Sequence, residues 1–366
     1  MSVTFHSLKI RQIIDRTPDA YTLEFEAPQE GTFSYLPGQY LTLKVPYEGE
    51  QLRRSFSLSS SPVADPLLSV TIKRVEGGRV SNYLRDHYKA GDEIEVLPPM
   101  GNFVVKVDPA YPRHYVLIGA GSGITPLMSI LKTVLQEEEE SKVSLWYCNR
   151  DEDHVIFADQ LEQLGGEYGD RLEVYHTLSR PSDAWNGPKG RLNKERIYEL
   201  LSGLFMTSEL PKVYYMCGPN GLMEASQAAL TQHAVDPRHV HRELYTAPVP
   251  TEAQVAEAYA DSENGASNDI AGYELVTQEV TISQNGTTLN LQVSPDQYIL
   301  DAAIEAKMDP PYACQSGICT TCRAKLISGV VSMDEAEGLS EDELKEGFIL
   351  TCQSHPLTKD VEVEFG

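Results

Sequence analysis

Three hydrophobic patterns follow one another along the chain. In roughly the first hundred residues, short segments alternate apolar and polar positions and are separated by Gly and Pro, as at 21–25, 40–45, 67–73 and 92–97. Many short alternating segments with such turns are typical of an antiparallel β-barrel or sandwich. The pattern therefore predicts an antiparallel β-barrel for residues 1–109.

The middle of the chain has longer apolar runs that alternate with helical periodicity. Runs typical of buried strands lie at 115–118, 143–147, 172–175 and 213–216. Helical stretches separate them, for example at 155–164. Strands that alternate with helices imply a doubly wound parallel sheet with helices on both faces. We expect this α/β domain to span 110–247.

The last part of the chain returns to short alternating strands. Val280 and Ile282 alternate with polar residues, Asn285-Gly286 predicts a two-residue hairpin turn, and alternation resumes over 289–293. Ser294, Pro295 and Gln297 then suggest a capping box that opens a helix through 299–304, and a strand follows near 324–327. We predict a small α+β domain of the β-grasp type at 272–366. A segment rich in Ala, Glu, Asp, Ser and Pro at 248–271 predicts a linker before it.

Four cysteines in this last domain carry the strongest chemical signal. Cys314, Cys319 and Cys322 have the spacing C-x4-C-x2-C, and Cys352 follows at a distance. This spacing is typical of plant-type [2Fe–2S] clusters, in which two irons need two thiolates each. We expect Gly317 to let the backbone pass close to the cluster and direct N–H groups at sulfur. A zinc site and unligated thiols are the alternatives.

The middle domain contains a glycine-rich turn at the end of its first strand. Gly121, Ser122, Thr125 and Pro126 lie between that strand and an apolar helix, an arrangement that places a pyrophosphate on a helix N-terminus. Ile124 replaces the third glycine of the usual motif, so a plain tight turn is the alternative.

Two further segments of this domain suggest where the rest of a dinucleotide lies. Cys217-Gly218 directly follows a strand and would place a thiol beside a nicotinamide. A hydroxyl and two guanidinium groups, from Ser179, Arg180 and Arg191, could bind a ribose 2′-phosphate. Alternatively, Cys217 is a small buried residue without a functional role, and the two arginines are solvated surface charges.

Charge and composition narrow the class of protein. Lys and Arg number 30 against 54 Asp and Glu, which gives a formal net charge of −24. Such a charge argues against binding nucleic acid or an anionic membrane surface. No secretory signal or membrane span is apparent in the sequence, so we expect a cytoplasmic protein. The acidic balance also favours a partner with a basic docking face, which predicts that activity falls with ionic strength.

The barrel contains residues suited to a flavin. Arg54, Phe56 and Ser57 stand close together in one segment, and Gly78 precedes a short helical stretch with Val80 and Ser81. An arginine together with free helix N–H groups can neutralise a diphosphate, and an aromatic ring beside a hydroxyl can stack on a flat heterocycle and bond its edge.

Together these segments resemble one family. The chain is similar, over nearly its whole length, to ferredoxin–NADP⁺ reductase-type flavoproteins fused to a C-terminal plant-type ferredoxin domain, which include oxygenase reductases of the phenylacetyl-CoA epoxidase type. The family's flavin motif, Arg-x-(Tyr/Phe)-Ser, falls on Arg54, Phe56 and Ser57. The resemblance implies that Arg54 binds flavin phosphate, that Phe56 stacks on the isoalloxazine, and that Ser57 bonds near its N5.

The same resemblance assigns the other candidate residues. The flavin diphosphate would lie against Gly78, Val80 and Ser81. The nicotinamide dinucleotide would lie against Gly121, Ser122, Thr125 and Pro126, with Cys217 and Gly218 by the nicotinamide. Glu243 matches an acidic residue near the flavin. Ser57, Cys217 and Glu243 are thus the candidate catalytic residues.

Electron counting gives the expected function. NAD(P)H gives up two electrons as hydride, a [2Fe–2S] cluster accepts one, and a flavin can do both. We expect electrons to pass from NAD(P)H through FAD and the cluster to a protein acceptor, namely an oxygenase component such as a phenylacetyl-CoA epoxidase. A reductase for another metalloprotein, of the hybrid-cluster type, and a non-enzymatic redox sensor are the alternatives. FMN is the alternative to FAD, and NADPH is favoured over NADH.

Overall fold

The computed structural model describes residues 4–26, 33–245, 273 and 276–365. The chain divides into two compact units, one of which spans His6–Tyr245 while the other holds the C-terminal part of the chain. The segment predicted as a linker, 248–271, lies outside the described residues.

The N-terminal part of the first unit is a six-stranded antiparallel sheet with the order β4-β3-β6-β1-β2-β5. Its elements are β1 (His6–Thr17), β2 (Ala20–Phe25), β3 (Tyr40–Tyr47), β4 (Glu50–Ser57), β5 (Ser69–Lys73), α1 (Arg79–His87) and β6 (Glu93–Val96). A bridge between Leu58 and Val70 joins the two outer strands, so the sheet closes into the predicted barrel. Apolar side chains that alternate along the strands, such as Leu41 and Leu43, fill its interior.

The second part of this unit is a five-stranded parallel sheet with the order β11-β10-β7-β8-β9. Its elements are β7 (His114–Ala120), α2 (Ile124–Glu137), β8 (Lys142–Asn149), α3 (Ala158–Tyr168), β9 (Leu172–Leu178), α4 (Lys194–Thr207), β10 (Lys212–Cys217), α5 (Asn220–Gln232) and β11 (Val240–Glu243). Along β7, Tyr115 and Leu117 join one core while Val116 and Ile118 join another. Helices therefore cover both faces, as predicted.

One helix of this sheet begins later than the sequence predicts. The prediction of 155–164 is wrong at its start, because α3 begins at Ala158. Phe157 takes a left-handed conformation with φ 66° and ends the preceding turn. Its ring is buried and lies 5.3 Å below the guanidinium of Arg16, so a tertiary contact overrides the local helical pattern.

The C-terminal unit is a small α+β fold with the sheet order β13-β12-β18-β14-β16 and a separate pair β15-β17. Its elements are β12 (Gln278–Gln284), β13 (Thr287–Val293), α6 (Ile299–Glu305), β14 (Arg323–Ser328), β15 (Val331–Met333), α7 (Glu341–Lys345), β16 (Phe348–Leu350), β17 (Ser354–Pro356) and β18 (Val361–Phe365). Asn285 and Gly286 both take positive φ in the predicted hairpin turn. The inner face of α6 packs through Ile299 and Ala303 onto the sheet.

The capping box predicted at Ser294 is wrong. Ser294 and Gln297 belong to a turn, and the hydroxyl of Ser294 donates to Asp296 at 2.6 Å instead of capping a helix. Helix α6 starts after Tyr298, without a side-chain cap. Among the described helices, none combines the length and the apolar character needed to cross a bilayer.

Candidate functional site

Two loops pack tightly where the order of the parallel sheet reverses. Strands β7 and β10 are neighbours, and the turn at Gly121–Gly123 follows the first while Gly218 follows the second. A Cβ added to Gly123 would lie only 2.0 Å from the carbonyl oxygen of Cys217, so only glycine allows this approach. Ligands of doubly wound sheets bind at such a reversal, beyond the carboxyl ends of the strands.

A cavity of about 840 Å³ opens beside these loops. It brings together five of the residues that the sequence predicts for the dinucleotide, namely Gly121, Ser122, Ser179, Arg180 and Arg191. The hydroxyl of Tyr147, which is fully buried, donates to the carbonyl of Gly121 at 3.0 Å and fixes the turn from below. The cavity therefore connects a glycine-rich turn with a group of hydroxyl and guanidinium side chains.

Four other predicted residues do not line this cavity. Thr125 and Pro126 are buried in the first turn of α2, where the Thr125 hydroxyl donates to the carbonyl of Ser122 at 3.0 Å. Cys217 is fully buried, and Gly218 packs against Ala120. These residues shape the loop pair rather than the cavity wall.

A second constellation joins the barrel to the parallel sheet. Ser57, at the end of β4, donates from its hydroxyl to Glu243 Oε2 at 2.9 Å, although 186 residues separate the two. The Cys217 sulfur lies 4.0 Å from the same carboxylate oxygen. The three candidate catalytic residues thus meet at one point, where the resemblance places the flavin edge and the nicotinamide.

Tyr245 completes this constellation. The residue as a whole is 40% exposed, but its hydroxyl is 3.1 Å from the hydroxyl of Ser57 and 2.9 Å from that of Thr125. The tyrosine therefore links the barrel residue Ser57 to the helix that begins the dinucleotide turn.

Burial raises the pKa of Glu243 to about 8, and the hydrogen bond from Ser57 opposes this shift. The carboxyl group therefore favours its protonated form more strongly than an exposed glutamate does. Burial also raises the pKa of the Cys217 thiol well above its usual value, so this sulfur stays protonated. Both shifts reduce the negative charge at the centre of this constellation.

The predicted flavin phosphate residues lie on β4 and α1. Arg54 is exposed, and Phe56 is partly buried. Gly78 is the N-cap residue of α1 and provides no side-chain cap, so the first N–H groups of this helix are available to an anion. A Cβ on Gly78 would lie 2.7 Å from Ser81 Oγ, which accepts a hydrogen bond from the N–H of Val75. This close, uncapped turn fits a diphosphate.

The four predicted cluster cysteines form two pairs in the C-terminal unit. The thiols of Cys314 and Cys319 hydrogen-bond to each other, as do those of Cys322 and Cys352. Each hydrogen bond lowers the pKa of one member, Cys314 in the first pair and Cys352 in the second. Within the described part of the chain, no three His, Cys, Asp or Glu side chains surround a single point as one metal ion would require. Two pairs match a centre in which each of two irons takes two thiolates.

Backbone N–H groups support these sulfurs. The N–H of Ser316 donates to Cys314 Sγ at 3.4 Å, and the backbone of Gly317 donates to the sulfur of Cys352. Gly317 has φ +73°, a conformation that favours glycine. The prediction that Gly317 turns N–H groups towards sulfur is confirmed, and the residues fit a [2Fe–2S] cluster.

Comparison with known proteins agrees with this arrangement. Family models match in order along the chain: an oxidoreductase FAD-binding domain at 7–105, an oxidoreductase NAD-binding domain at 117–228 and a 2Fe-2S iron-sulfur cluster binding domain at 282–357. The chain is 34% identical to a subunit of the 1,2-phenylacetyl-CoA epoxidase of Escherichia coli (strain K12), over 99% of this chain and 98% of that protein. This chain belongs to the ferredoxin–NADP⁺ reductase-type flavoproteins with a C-terminal [2Fe–2S] domain.

Other members of this family show the same extent of similarity. The ferredoxin reductase component of a 3-ketosteroid-9-alpha-monooxygenase from Mycobacterium tuberculosis (strain CDC 1551 / Oshkosh) is 36% identical over 98% of this chain and 95% of its own length. The solved structure of phthalate dioxygenase reductase, described as a modular structure for electron transfer from pyridine nucleotides to [2Fe-2S], covers 99% of this chain and 98% of that one, with a TM-score of 0.58 and 24% identity. It supports the fold.

Membership of this reductase family settles the class of activity. The chain is an NAD(P)H-dependent oxidoreductase that passes electrons from pyridine nucleotide through FAD to a [2Fe–2S] cluster. When bound, the flavin supplies the exchange between two-electron and one-electron chemistry. Relatives named as reductase components, such as the M. tuberculosis protein, decide against the alternative of a non-enzymatic sensor.

Three residues at these sites are absent from the sequence prediction. Lys73, at the end of β5, and Arg150, directly after β8, line the cavity beside the glycine-rich turn, and Tyr245 touches Ser57. Arg150 follows the end of a parallel strand, which is a signal that the sequence offers. Lys73 belongs to the barrel and reaches the cavity only through the tertiary fold, so no local pattern indicates it.

Proposed function

We propose that this chain is the NADPH-dependent reductase component of a multicomponent oxygenase of the phenylacetyl-CoA epoxidase type. The similarity to the E. coli epoxidase protein, which spans nearly all of both chains, carries this proposal. The M. tuberculosis relative, which is equally similar, makes a ketosteroid monooxygenase the second candidate acceptor.

Reconstitution with purified oxygenase components tests the acceptor. The chain, the epoxidase components, NADPH and phenylacetyl-CoA are combined, and product formed per NADPH consumed is measured. We expect tight coupling with the epoxidase and weak coupling with a ketosteroid oxygenase. Coupling that is better with the ketosteroid enzyme, or absent with both, contradicts the assignment. The net charge of −24 predicts that coupling falls as salt rises, and coupling that is independent of salt argues against an acidic docking face.

The cavity supports NADPH rather than NADH as the donor. Three guanidinium groups, from Arg150, Arg180 and Arg191, line it together with the hydroxyl of Ser179. Arg150 is paired with Asp151 at 3.1 Å, whereas none of the ion pairs among the described residues involves Arg180 or Arg191, so these two can receive an anion. Arginine binds phosphate oxygens in a bidentate manner, and a 2′-phosphate supplies them.

Single substitutions test this preference. Arg180→Ala and Arg191→Ala should each lower kcat/KM for NADPH by about 10- to 100-fold, the value of a charged hydrogen bond, and leave the value for NADH nearly unchanged. Arg196→Ala, on α4 and outside the cavity, is the matched control. An equal loss with both nucleotides would show that these arginines do not bind the 2′-phosphate.

The remaining assignments are part of this proposal. We assign the flavin phosphates to Arg54 and the uncapped start of α1, and the isoalloxazine to Phe56 and Ser57. Glu243 holds a proton beside Ser57, and Cys217 fills the space next to the nicotinamide. We also assign the domain limits 1–109, 110–247 and 272–366, and the order of the family models supports this division. Six cysteines without disulfides suit a reducing compartment such as the cytoplasm.

A further inference from the structure

A short row of charges crosses from the barrel to the parallel-sheet domain beside the nucleotide cavity. Lys73 Nζ lies 3.5 Å from Asp19 Oδ2, and the same oxygen lies 3.9 Å from Nε2 of His154. Lys73 and Asp19 belong to the barrel, whereas His154 belongs to the turn that follows β8. Asp19 therefore stands at the boundary of the two domains.

Lys73 faces the part of the cavity that the diphosphate would occupy. A Cβ added to Gly121 would lie 3.7 Å from Lys73 Nζ, so the ammonium group stands over the glycine-rich turn. Lysine has a flexible stem and much rotamer entropy to lose when it is fixed. An unrestrained lysine that is 30% exposed would spend much of its time in solvent.

Asp19 is itself held firmly. The hydroxyl of Thr17 donates to Asp19 Oδ1 at 2.9 Å, and the carbonyl of Asp19 accepts a hydrogen bond from the N–H of Arg74 at 2.7 Å. The next residue, Ala20, is paired with Lys73 across β2 and β5. Asp19 does not line the cavity, so it acts on a bound nucleotide only through another side chain.

We propose that Asp19 is a positioning residue for the nucleotide site, which holds the barrel residue Lys73 over the glycine-rich turn so that its ammonium group meets the diphosphate. This inference rests on the proposed nucleotide site and extends it to the barrel. It also separates two recognition tasks. Lys73 serves the diphosphate, which NADH and NADPH share, whereas the arginines serve the 2′-phosphate, which only NADPH carries.

Two effects of removing the Asp19 charge oppose each other. In the Asp19→Asn variant the neutral amide would no longer compete with the diphosphate for Lys73, which favours binding, and it would no longer orient the lysine, which disfavours binding. The native carboxylate and the ammonium group are both partly exposed, so water screens their direct attraction. The positioning role requires loss of orientation to outweigh loss of competition, and the direction of the change in nucleotide binding tests it.

The test is a double-mutant cycle on the holoenzyme. Dissociation constants of NADP⁺ and NAD⁺ are measured from the change in flavin absorbance for the native chain, Asp19→Asn, Lys73→Ala and the double variant. We expect Asp19→Asn to weaken both nucleotides by about two- to fivefold, the contribution of a partly exposed ion pair, with KM for NADPH raised and kcat retained. In the Lys73→Ala background, Asp19→Asn should have no further effect. Asp15→Asn, which removes the partner of Arg85 elsewhere on the barrel, is the control.

The outcomes separate this inference from the proposed function. Unchanged or tighter binding by Asp19→Asn, or effects of Asp19 and Lys73 that simply add, overturns the positioning role while the nucleotide site stands. If Arg180→Ala and Arg191→Ala also leave NADP⁺ binding unchanged, the nucleotide site itself is wrong. Flavin content and thermal melting of each variant show whether it is folded.

Discussion

The contact between Gly123 and Cys217 offers a direct structural test of the nucleotide site. Gly123 has φ −61° and ψ −12°, a conformation that alanine adopts freely. The only obstacle to Gly123→Ala is the space that its Cβ would need. That atom would lie 2.0 Å from the Cys217 carbonyl oxygen and 3.0 Å from the N–H nitrogen of Gly218. The two loops must therefore move apart by about 1 Å, since Cβ atoms essentially never approach other atoms within 3.0 Å.

The magnitude follows from this overlap. Overpacking of a well-packed interior costs about 1–3 kcal/mol, and both neighbouring atoms belong to the backbone, so no side chain can rotate away. We expect Gly123→Ala to lower the free energy of unfolding by about 2 kcal/mol. Because the same loops shape the nucleotide site, we expect KM for NADPH to rise by about tenfold or more.

Gly203→Ala is the matched control. Gly203 is exposed in the middle of α4, and a Cβ there would meet nothing within 4 Å. This substitution should stabilise the protein by about 0.5–1 kcal/mol through helix propensity. Urea unfolding of both variants and NADPH kinetics with an artificial electron acceptor give the comparison. If Gly123→Ala is as stable as Gly203→Ala and keeps the native KM, the packing of the two loops is not as described.

Three further predictions concern titration and the cluster. Because the pKa of Glu243 is raised to about 8, the unfolded chain ionises at lower pH than the folded one, and the fold should lose stability as pH rises from about 4.5 to about 8. Glu243→Gln should reduce this dependence of the melting temperature on pH. An unchanged pH dependence would argue that Glu243 is not buried. His114 is buried between Ser144 and Ser208, and burial lowers its pKa to about 4. Its contribution to the free energy of unfolding is therefore present above pH 6.5 and lost as pH falls towards 4. His114→Gln should make the protein less sensitive to acid in thermal melts, and equal sensitivity would argue that His114 is not buried in its neutral form. The Cys319→Ser variant should still have its flavin reduced by NADPH but should no longer reduce a one-electron acceptor protein. If it reduces the acceptor as fast as the native chain does, the cluster is not on the electron-transfer path.

Much of the fold follows from sequence because its signals are local. Alternation predicts the barrel strands and the hairpin at Asn285, since burial on one face imposes a period of two. The capping box fails at Ser294 because Asp296, two residues on, takes its hydroxyl. A capping box does form at Ser340 and Glu343, at the start of α7. Whether a serine caps a helix therefore depends on which neighbouring side chain competes for its hydroxyl.

Some residues of the candidate site can likewise be predicted from local sequence, whereas others depend on the tertiary fold. The cysteine spacing and the glycine-rich turn are local, so the sequence indicates them directly. The hydrogen bond between Ser57 and Glu243 and the reach of Lys73 into the cavity depend on how the barrel packs against the parallel sheet. No local pattern in the sequence predicts either contact. Only the resemblance to a known family indicates that Ser57 and Glu243 act together.

An anaerobic NADPH titration of the purified protein, combined with iron, sulfide and flavin analysis, tests the central claim most directly. We predict one FAD with about two irons and two sulfides per chain, and bleaching of both flavin and cluster absorption by NADPH. The claim is contradicted if the protein stays free of iron after anaerobic reconstitution, or if NADPH reduces the flavin while the cluster remains oxidised.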